Sequence, residues 1–273
     1  VSDYSYTLNG PLLQVKDVCV SLGGKQVLDR VSFTVRDVIR PGHSQGQIVA
    51  LLGPSGSGKT TLFRRISGLE TIDSGRILVG SKAEPATAGK VGVVMQHYPL
   101  FAHRSVLGNL LVAGAQNAEG LDSGAIQRKA EKLLQTFELG DRADAWPAEL
   151  SGGQRQRVAI AQQLMCSEHL LLMDEPFSGL DPTMKSRACE LVQHVASLHE
   201  ENTIVIVTHD VESAVKICDQ IIVLGKDPID GKGTRVRADI DLKERGIAWR
   251  PENEDLPAFR ETVREIKAMF PSL

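Results

Sequence analysis

Two stretches near the start of the chain alternate apolar and polar positions, LLQVKDVCV at 12–20 and VSFTVR at 31–36. A period of two puts one face in a core and the other in water, so the pattern predicts half-buried antiparallel strands. GGK at 23–25 is the turn between them. RDVIRPGHSQG at 36–46 brings Pro, Gly and Ser together and predicts an extended loop ahead of the next strand, QIVALL. HLLLMDEP (169–176) and NTIVIVTHD (202–210) are almost continuously apolar, as parallel strands covered on both faces are. GRILVG (75–80) and KVGVVMQ (90–96) predict further strands.

The period changes between 97 and 165, where no strand pattern is present. Ile126, Ala130, Leu133, Leu134 and Phe137 recur at helical spacing behind Asp122 and Ser123, both suited to N-caps, so this region predicts a mostly helical insertion. TTLFRRISGL predicts a helix ended by Gly68, and MKSRACELVQHVASLHEE a helix between the two most apolar strands. Strand–helix–strand units of this kind point to an α/β nucleotide-binding core. Beyond about 225, GTRVRADIDL predicts a strand, and Leu256, Phe259, Val263, Ile266 and Phe270 form a stripe on a final helix. Such stripes serve core packing more often than partner binding.

Composition narrows the class. The 273 residues suffice for one large domain or two modest ones, with 42 % hydrophobic and 24 % charged residues, ordinary for a globular chain. A net charge of −3 carries no basic excess that would argue for nucleic acid. The longest apolar runs are strand-length, far short of a membrane span, and VSDYSYTLNG has neither the charged start nor the apolar run of a signal peptide. The four cysteines show no CxxC spacing, and the seven histidines no HExxH pair and no Cys/His cluster. Neither a zinc site nor a disulfide framework is expected, only thiols in a reducing cytosol.

The chemistry is carried by a few short stretches. Gly53, Pro54, Ser55, Gly56, Ser57, Gly58, Lys59, Thr60 and Thr61 fit GxxxxGK[ST], preceded by an apolar strand and followed by a helix. Glycines let backbone N–H groups converge on phosphates, and the helix N-terminus adds its positive end. Lys59 is placed for the β- and γ-phosphates and the Thr60 hydroxyl for Mg²⁺. LLLMDE delivers Asp174 to a strand end as a metal ligand, and Glu175, one residue on, to polarise an attacking water. Gln96 and His209 also end apolar strands. If those strands neighbour the P-loop strand, Gln96 reaches metal or water and His209 a phosphate oxygen. LSGGQRQR at 150–157 is a second candidate cradle, two glycines behind a serine at the opening of a helix.

The ordered set GPSGSGKTT, Gln96, LSGGQ, LLLMDEP, SGLD (178–181) and His209 resembles the ATP-binding cassette (ABC) ATPases over roughly residues 12–225. The resemblance implies a P-loop NTPase core with an antiparallel β subdomain and an inserted helical subdomain. It implies a cassette over 1–225, with the helical subdomain at about 97–157, and a short C-terminal extension at 226–273. It further implies ATP and Mg²⁺ as ligands, with Thr60, Gln96 and Asp174 on the metal and Glu175, His209, Gln96 and Lys59 in catalysis. In the family two cassettes pair head-to-tail, so Ser151, Gly152, Gly153 and Gln154 would cap the ATP held by a partner's P-loop, with Asp181 near the seam. MQHYPLFAHRSVLGNL is similar to the segment that meets the transmembrane subunits.

The implied partners are a second cassette subunit (the same chain or a close paralogue), transmembrane permease subunits and a solute-binding protein, with no nucleic acid. The implied location is the cytoplasmic face of the membrane. Among these proteins the chain resembles bacterial importers with separate cassette chains, of the nitrate/sulfonate/taurine type. One departure is Leu22, where many relatives carry an aromatic residue that stacks on adenine; the other is the loop at 36–46, read as a tolerated insertion. The alternatives are a non-transport cassette ATPase and a nucleotide-dependent regulatory module. Neither the coiled-coil interruption of repair relatives nor the paired cassettes of translation relatives is seen, and intact Glu175 and His209 weigh against a degenerate module.

Overall fold

The computed structural model describes residues 5–40, 46–116, 122–167, 169–226, 232–250 and 252–272. β1 (Thr7–Leu22) and β2 (Lys25–Ile39) pair antiparallel around Gly23 and Gly24. Both glycines have positive φ, 57° and 78°, which a two-residue turn matching strand twist requires. The alternation read from sequence sets the register: Leu13 faces Val35, Val15 faces Phe33, and all four are buried. β2 runs further than expected. Arg36–Ile39, read as the start of a loop, continue the strand because β1 itself begins at Thr7 and supplies their pairing partners, Thr7 opposite Ile39. Positions 41–45 of that expected loop lie outside the described residues.

There follow β3 (Gln47–Leu52), α1 (Lys59–Ile66), β4 (Ser74–Val79), β5 (Glu84–Pro85) and β6 (Gly92–Val94). Then come α2 (Val106–Gln116), α3 (Ser123–Thr136), α4 (Gly152–Cys166), β7 (Leu170–Asp174) and α5 (Pro182–Ser197). The chain continues through β8 (Thr203–Thr208), α6 (Val211–Ile217), β9 (Gln220–Lys226), β10 (Thr234–Asp241) and α7 (Pro257–Met269).

The strands form one sheet in the order β5-β4-β1-β2-β10-β9-β3-β8-β7-β6. β9, β3, β8, β7 and β6 run parallel, so the carboxyl ends of β3, β8 and β7 open on the same side. β3 and β8 are buried at every position because both faces are covered, and alternate residues feed two cores. Ile48, Ala50, Leu52, Ile204 and Ile206 join one; Val49, Leu51, Val205 and Val207 join the other, with Leu62 and Phe63 of α1.

The region read as a helical insertion holds α2 and α3, which pack on each other and on α4. Asp122 caps α3 by accepting from Ala125 N–H, as its sequence position suggested. α4 also packs on β6, which ties these helices to the sheet. Past β9 the chain returns to the sheet, and β10 lies between β9 and β2, joining the parallel and antiparallel parts. α7 packs on α6, with Phe259 and Ile266 buried and Leu256, Val263 and Phe270 against the same core, so the final stripe is core packing. Among the described residues no helix is long and apolar enough to cross a membrane.

Candidate active site

β3 ends at Leu52 in the middle of the sheet, and the next six residues turn back to start α1 at Lys59. Only glycine fits at position 53, because a Cβ there would lie 2.4 Å from the Leu224 carbonyl oxygen and 2.7 Å from Ser57 Oγ. Gly56 and Gly58 take positive φ, 80° and 74°, and curl the loop so that Gly58 caps α1. Lys59 is 6 % exposed, and its Nζ donates to the carbonyls of Gly53 and Pro54 at 2.8 and 2.9 Å. The ammonium thus sits inside its own loop. Burial pushes its pKa down, opposed by the Glu175 and Asp174 carboxylates. Thr60 and Ser55 are exposed, Thr61 and Pro54 half-buried.

Asp174 closes β7 and Glu175 follows it in left-handed backbone, φ 48°. Glu175 N–H donates to Val207 O at 2.8 Å, which locks this turn onto the end of β8. β8 separates β7 from β3, so the acidic pair reaches the loop across one intervening strand. Asp174 has its pKa raised, first by burial and then by the Glu175 charge, against the pull of Lys59 and Arg64. Its Oδ1 is buried without a hydrogen-bond partner, and so is Ser57 Oγ. Each buried orphan, one acceptor and one hydroxyl, is costly unless a ligand completes it. A cation at Asp174 and a phosphate oxygen at Ser57 fit these vacant valences, with the Thr60 hydroxyl exposed to the same ligand.

Glu175 has protein partners. His209 Nδ1 lies 3.0 and 2.9 Å from its two carboxylate oxygens, and Thr208 Oγ1 lies 3.4 Å from one of them. His209 follows β8, a direct neighbour of the P-loop strand, as the sequence reading required, and its Nδ1 is engaged by Glu175. Thr208 is fully buried and was missed by sequence reasoning; its signal was a hydroxyl at the carboxyl end of a strand that is aliphatic between its two threonines. The neighbour condition fails for Gln96. β6 pairs with β7, with two strands between it and β3, and it ends at Val94, so exposed Gln96 belongs to the turn that follows.

The second cradle is built locally. Ser151 caps α4: its Oγ accepts from Gln154 N–H at 3.3 Å, and Gln154 Oε1 accepts from Ser151 N–H at 2.9 Å. Gln154 Oε1 is thereby spent on the cap. Ser151 and Gly152 are exposed, and a Cβ on Gly152 or Gly153 would meet nothing within 4 Å, so this helix start faces open space. α4 packs on α2, α3 and β6, whereas α1, which carries the P-loop lysine, packs on β2, β7 and β8. Asp181 is exposed and caps α5 through Met184 N–H at 3.0 Å. Leu22, the last residue of β1, is 49 % exposed.

Comparison with known proteins agrees with this geometry. The sequence pattern of the family described as ABC transporter matches residues 37–178. The sulfate/thiosulfate import ATP-binding protein CysA of Acinetobacter baylyi is 39 % identical over 229 residues, covering 81 % of this chain and 62 % of that one. The protein of the same name from Escherichia coli is 41 % identical over 225 residues, covering 80 % and 59 %. The match thus spans about three fifths of the length of these relatives.

Two solved structures are similar in fold. CbiO1 from Clostridium perfringens, described as part of the ABC transporter complex cbiONQ, superposes with a TM-score of 0.73 at 26 % identity, over 96 % of this chain and 97 % of that one. The ATP-binding cassette MJ0796, in a dimeric post-hydrolysis state bound to ADP and Pi, superposes with a TM-score of 0.65 at 26 % identity, over 84 % and 98 %.

Proposed function

Because the chain belongs to the ABC transporter family of ATP-binding proteins, we propose that it is the nucleotide-binding subunit of an importer, hydrolysing ATP between two head-to-tail copies. The observation that carries this reading is the separation of the two cradles. The P-loop opens α1 among β2, β7 and β8, while Ser151 opens α4 on the helical side, so a second molecule supplies the amides that face the first one's P-loop.

The residues divide the work. Lys59 Nζ exchanges the Gly53 and Pro54 carbonyls for the β- and γ-phosphate oxygens. Thr60 and Asp174 would hold Mg²⁺, which when bound neutralises phosphate charge. Gln96 joins only if the turn after β6 moves inward. Glu175 accepts the proton of the attacking water at a carboxylate oxygen, while Thr208 and His209 orient that carboxylate. Ser151 and the amides of Gly152 and Gly153, from the partner, close the face opposite Lys59 and exclude water.

The partners beyond a second copy are permease subunits and a solute-binding protein, at the cytoplasmic face of a membrane. Exposed Leu69 and Met95 edge a groove with Pro99, Ala159 and Gln163, an apolar seat for a helix of the membrane subunit. The names of the curated relatives support sulfate or thiosulfate as cargo over the nitrate/sulfonate/taurine class.

A crosslink tests the head-to-tail arrangement. With cysteines in place of Ser55 and Ser151, ATP bound and hydrolysis blocked, two chains should join into a covalent dimer. Bonds formed only within single chains overturn the reading.

A further inference from the structure

The ends of β7 and β8 opposite Glu175 and His209 carry a second constellation. His169 immediately precedes β7 and Asn202 immediately precedes β8, and Thr203 N–H donates to His169 O at 2.6 Å. His199 and Glu201 lie in the turn from α5 to β8. One ring nitrogen from each histidine and one Glu201 carboxylate oxygen all lie within 4.8 Å of one another, and all three residues are exposed. The rings of His169 and His199 are stacked, with centroids 4.6 Å apart at 28°. The spacing along the chain concealed this, because His169 is some thirty positions from the other two.

The hydrogen bonds decide which nitrogens are free. Asn202 is buried, and its Nδ2 donates to Val195 O at 2.9 Å, which turns Oδ1 toward His169 Nδ1 at 3.4 Å. An amide oxygen there requires the proton on Nδ1. In the neutral ring, Nε2 therefore presents a lone pair, and it faces Glu201 Oε2 at 3.2 Å. A proton on Nε2 makes this contact an ion pair, and in the neutral ring a metal ion between the two lone pairs takes the proton's place. His199 Nδ1 accepts from Glu201 N–H at 3.2 Å, so its one lone pair faces this turn, and as a ligand it exchanges that long amide bond for the ion. A histidine whose other nitrogen donates to a fixed buried oxygen is the usual outer support of a metal ligand.

We propose that His169, His199 and Glu201 form a binding site for one borderline divalent transition ion, Zn²⁺ being the best fit, with water completing the shell. Zn–N bonds of about 2.0–2.1 Å in a tetrahedron set ligand atoms about 3.3 Å apart, close to the His169–Glu201 separation. Two imidazoles with one carboxylate suit zinc, nickel or copper and not magnesium or calcium, which take oxygen ligands. The ion would clamp the α5–β8 turn to the start of β7. It lies at the far ends of the two strands that carry Glu175 and His209, so the proposal stands apart from the nucleotide chemistry.

The test is a titration of the full, nucleotide-free chain with Zn²⁺ in excess Mg²⁺, which saturates the carboxylates at the other end. One equivalent should bind with release of protons and raise the melting temperature reversibly to EDTA. The variants His169→Gln and Glu201→Gln should each weaken binding by at least about tenfold, and the double variant His169→Gln/His199→Gln should lose it. Because these side chains are exposed, the variants should melt like the parent in EDTA.

A readout on the parent alone avoids any folding question: of the seven histidine ring resonances, two should shift on adding Zn²⁺. Unaltered binding by the double variant, spectroscopic evidence of a thiolate ligand to substituted Co²⁺, no shift of two histidines, or no saturable binding at micromolar ion would overturn the site.

Discussion

At the scale of single residues, Glu175, the proposed base, is held in place by its neighbours. His209 and Thr208 fix its carboxylate, and its left-handed backbone is anchored by Val207 O. Glu175→Gln keeps the shape and removes the base, so ATP affinity should hold while phosphate release falls by about 10²–10⁴-fold. Near-normal turnover would remove Glu175 from that role. Leu22, half exposed at the end of β1, is the proposed aliphatic surface for adenine. Leu22→Tyr should tighten ATP binding by about two- to tenfold, the equivalent of roughly 0.5–1.5 kcal/mol for ring stacking. An unchanged affinity by titration means adenine lies elsewhere.

Asp219 shows what burial does to a carboxylate. It accepts from Ile48 N–H at 2.6 Å, yet desolvation pushes its pKa up to about 6, against the help of that bond, Lys243 and Arg40. A raised folded pKa favours the neutral acid. The associated stability is full below the unfolded value near 4 and is lost as pH rises through about 6. Equilibrium unfolding between pH 4 and 7 should show this decline in the parent and a flatter profile in Asp219→Asn.

At the scale of elements, the turn leading into α2 is pinned by one side chain. Asn109 is fully buried; its Oδ1 accepts from Phe101 N–H at 2.7 Å, and its Nδ2 donates to Ser105 O at 2.9 Å and Phe101 O at 3.2 Å. These bonds fix the backbone of exposed Phe101, so local packing decides the shape of the segment proposed to face the membrane subunit. Asn109→Ala strands these buried backbone groups and should cost about 1–3 kcal/mol. Thermal melting should register a fall of roughly 2–10 °C. If Tm is unchanged, the turn is held by other contacts.

At the scale of the molecule, the two cradles predict complementation. Lys59→Ala removes the phosphate contact, whereas Gly152→Asp places a carboxylate at the opposing amides in a spot where the fold has room for it. Each variant alone should be inactive. In a mixed assembly one interface combines the intact Lys59 of one chain with the intact Gly152 of the other, so ATPase activity should return in part. Activity that stays at the level of the single variants, in mixed dimers verified by mass, would mean that both sites must be whole.

The sequence by itself determined the kinds of element and the chemistry each one carries. Period-two alternation wrote β1 and β2, unbroken aliphatic runs wrote β7 and β8, and the glycine spacing wrote a loop that only glycine can follow, because these signals are local in the chain. It could not place β10 between β2 and β9, since strand order depends on contacts between distant segments. For the same reason the return of the last forty residues to the sheet was not legible, nor was the distance of Gln96 from the P-loop strand. Pairing of Arg36–Ile39 depended on how far β1 runs. The hold of His209 on Glu175, and the meeting of His169 with His199 and Glu201, required strands β7 and β8 to lie side by side; a side chain's partner is set by the sheet, not by its neighbours in sequence.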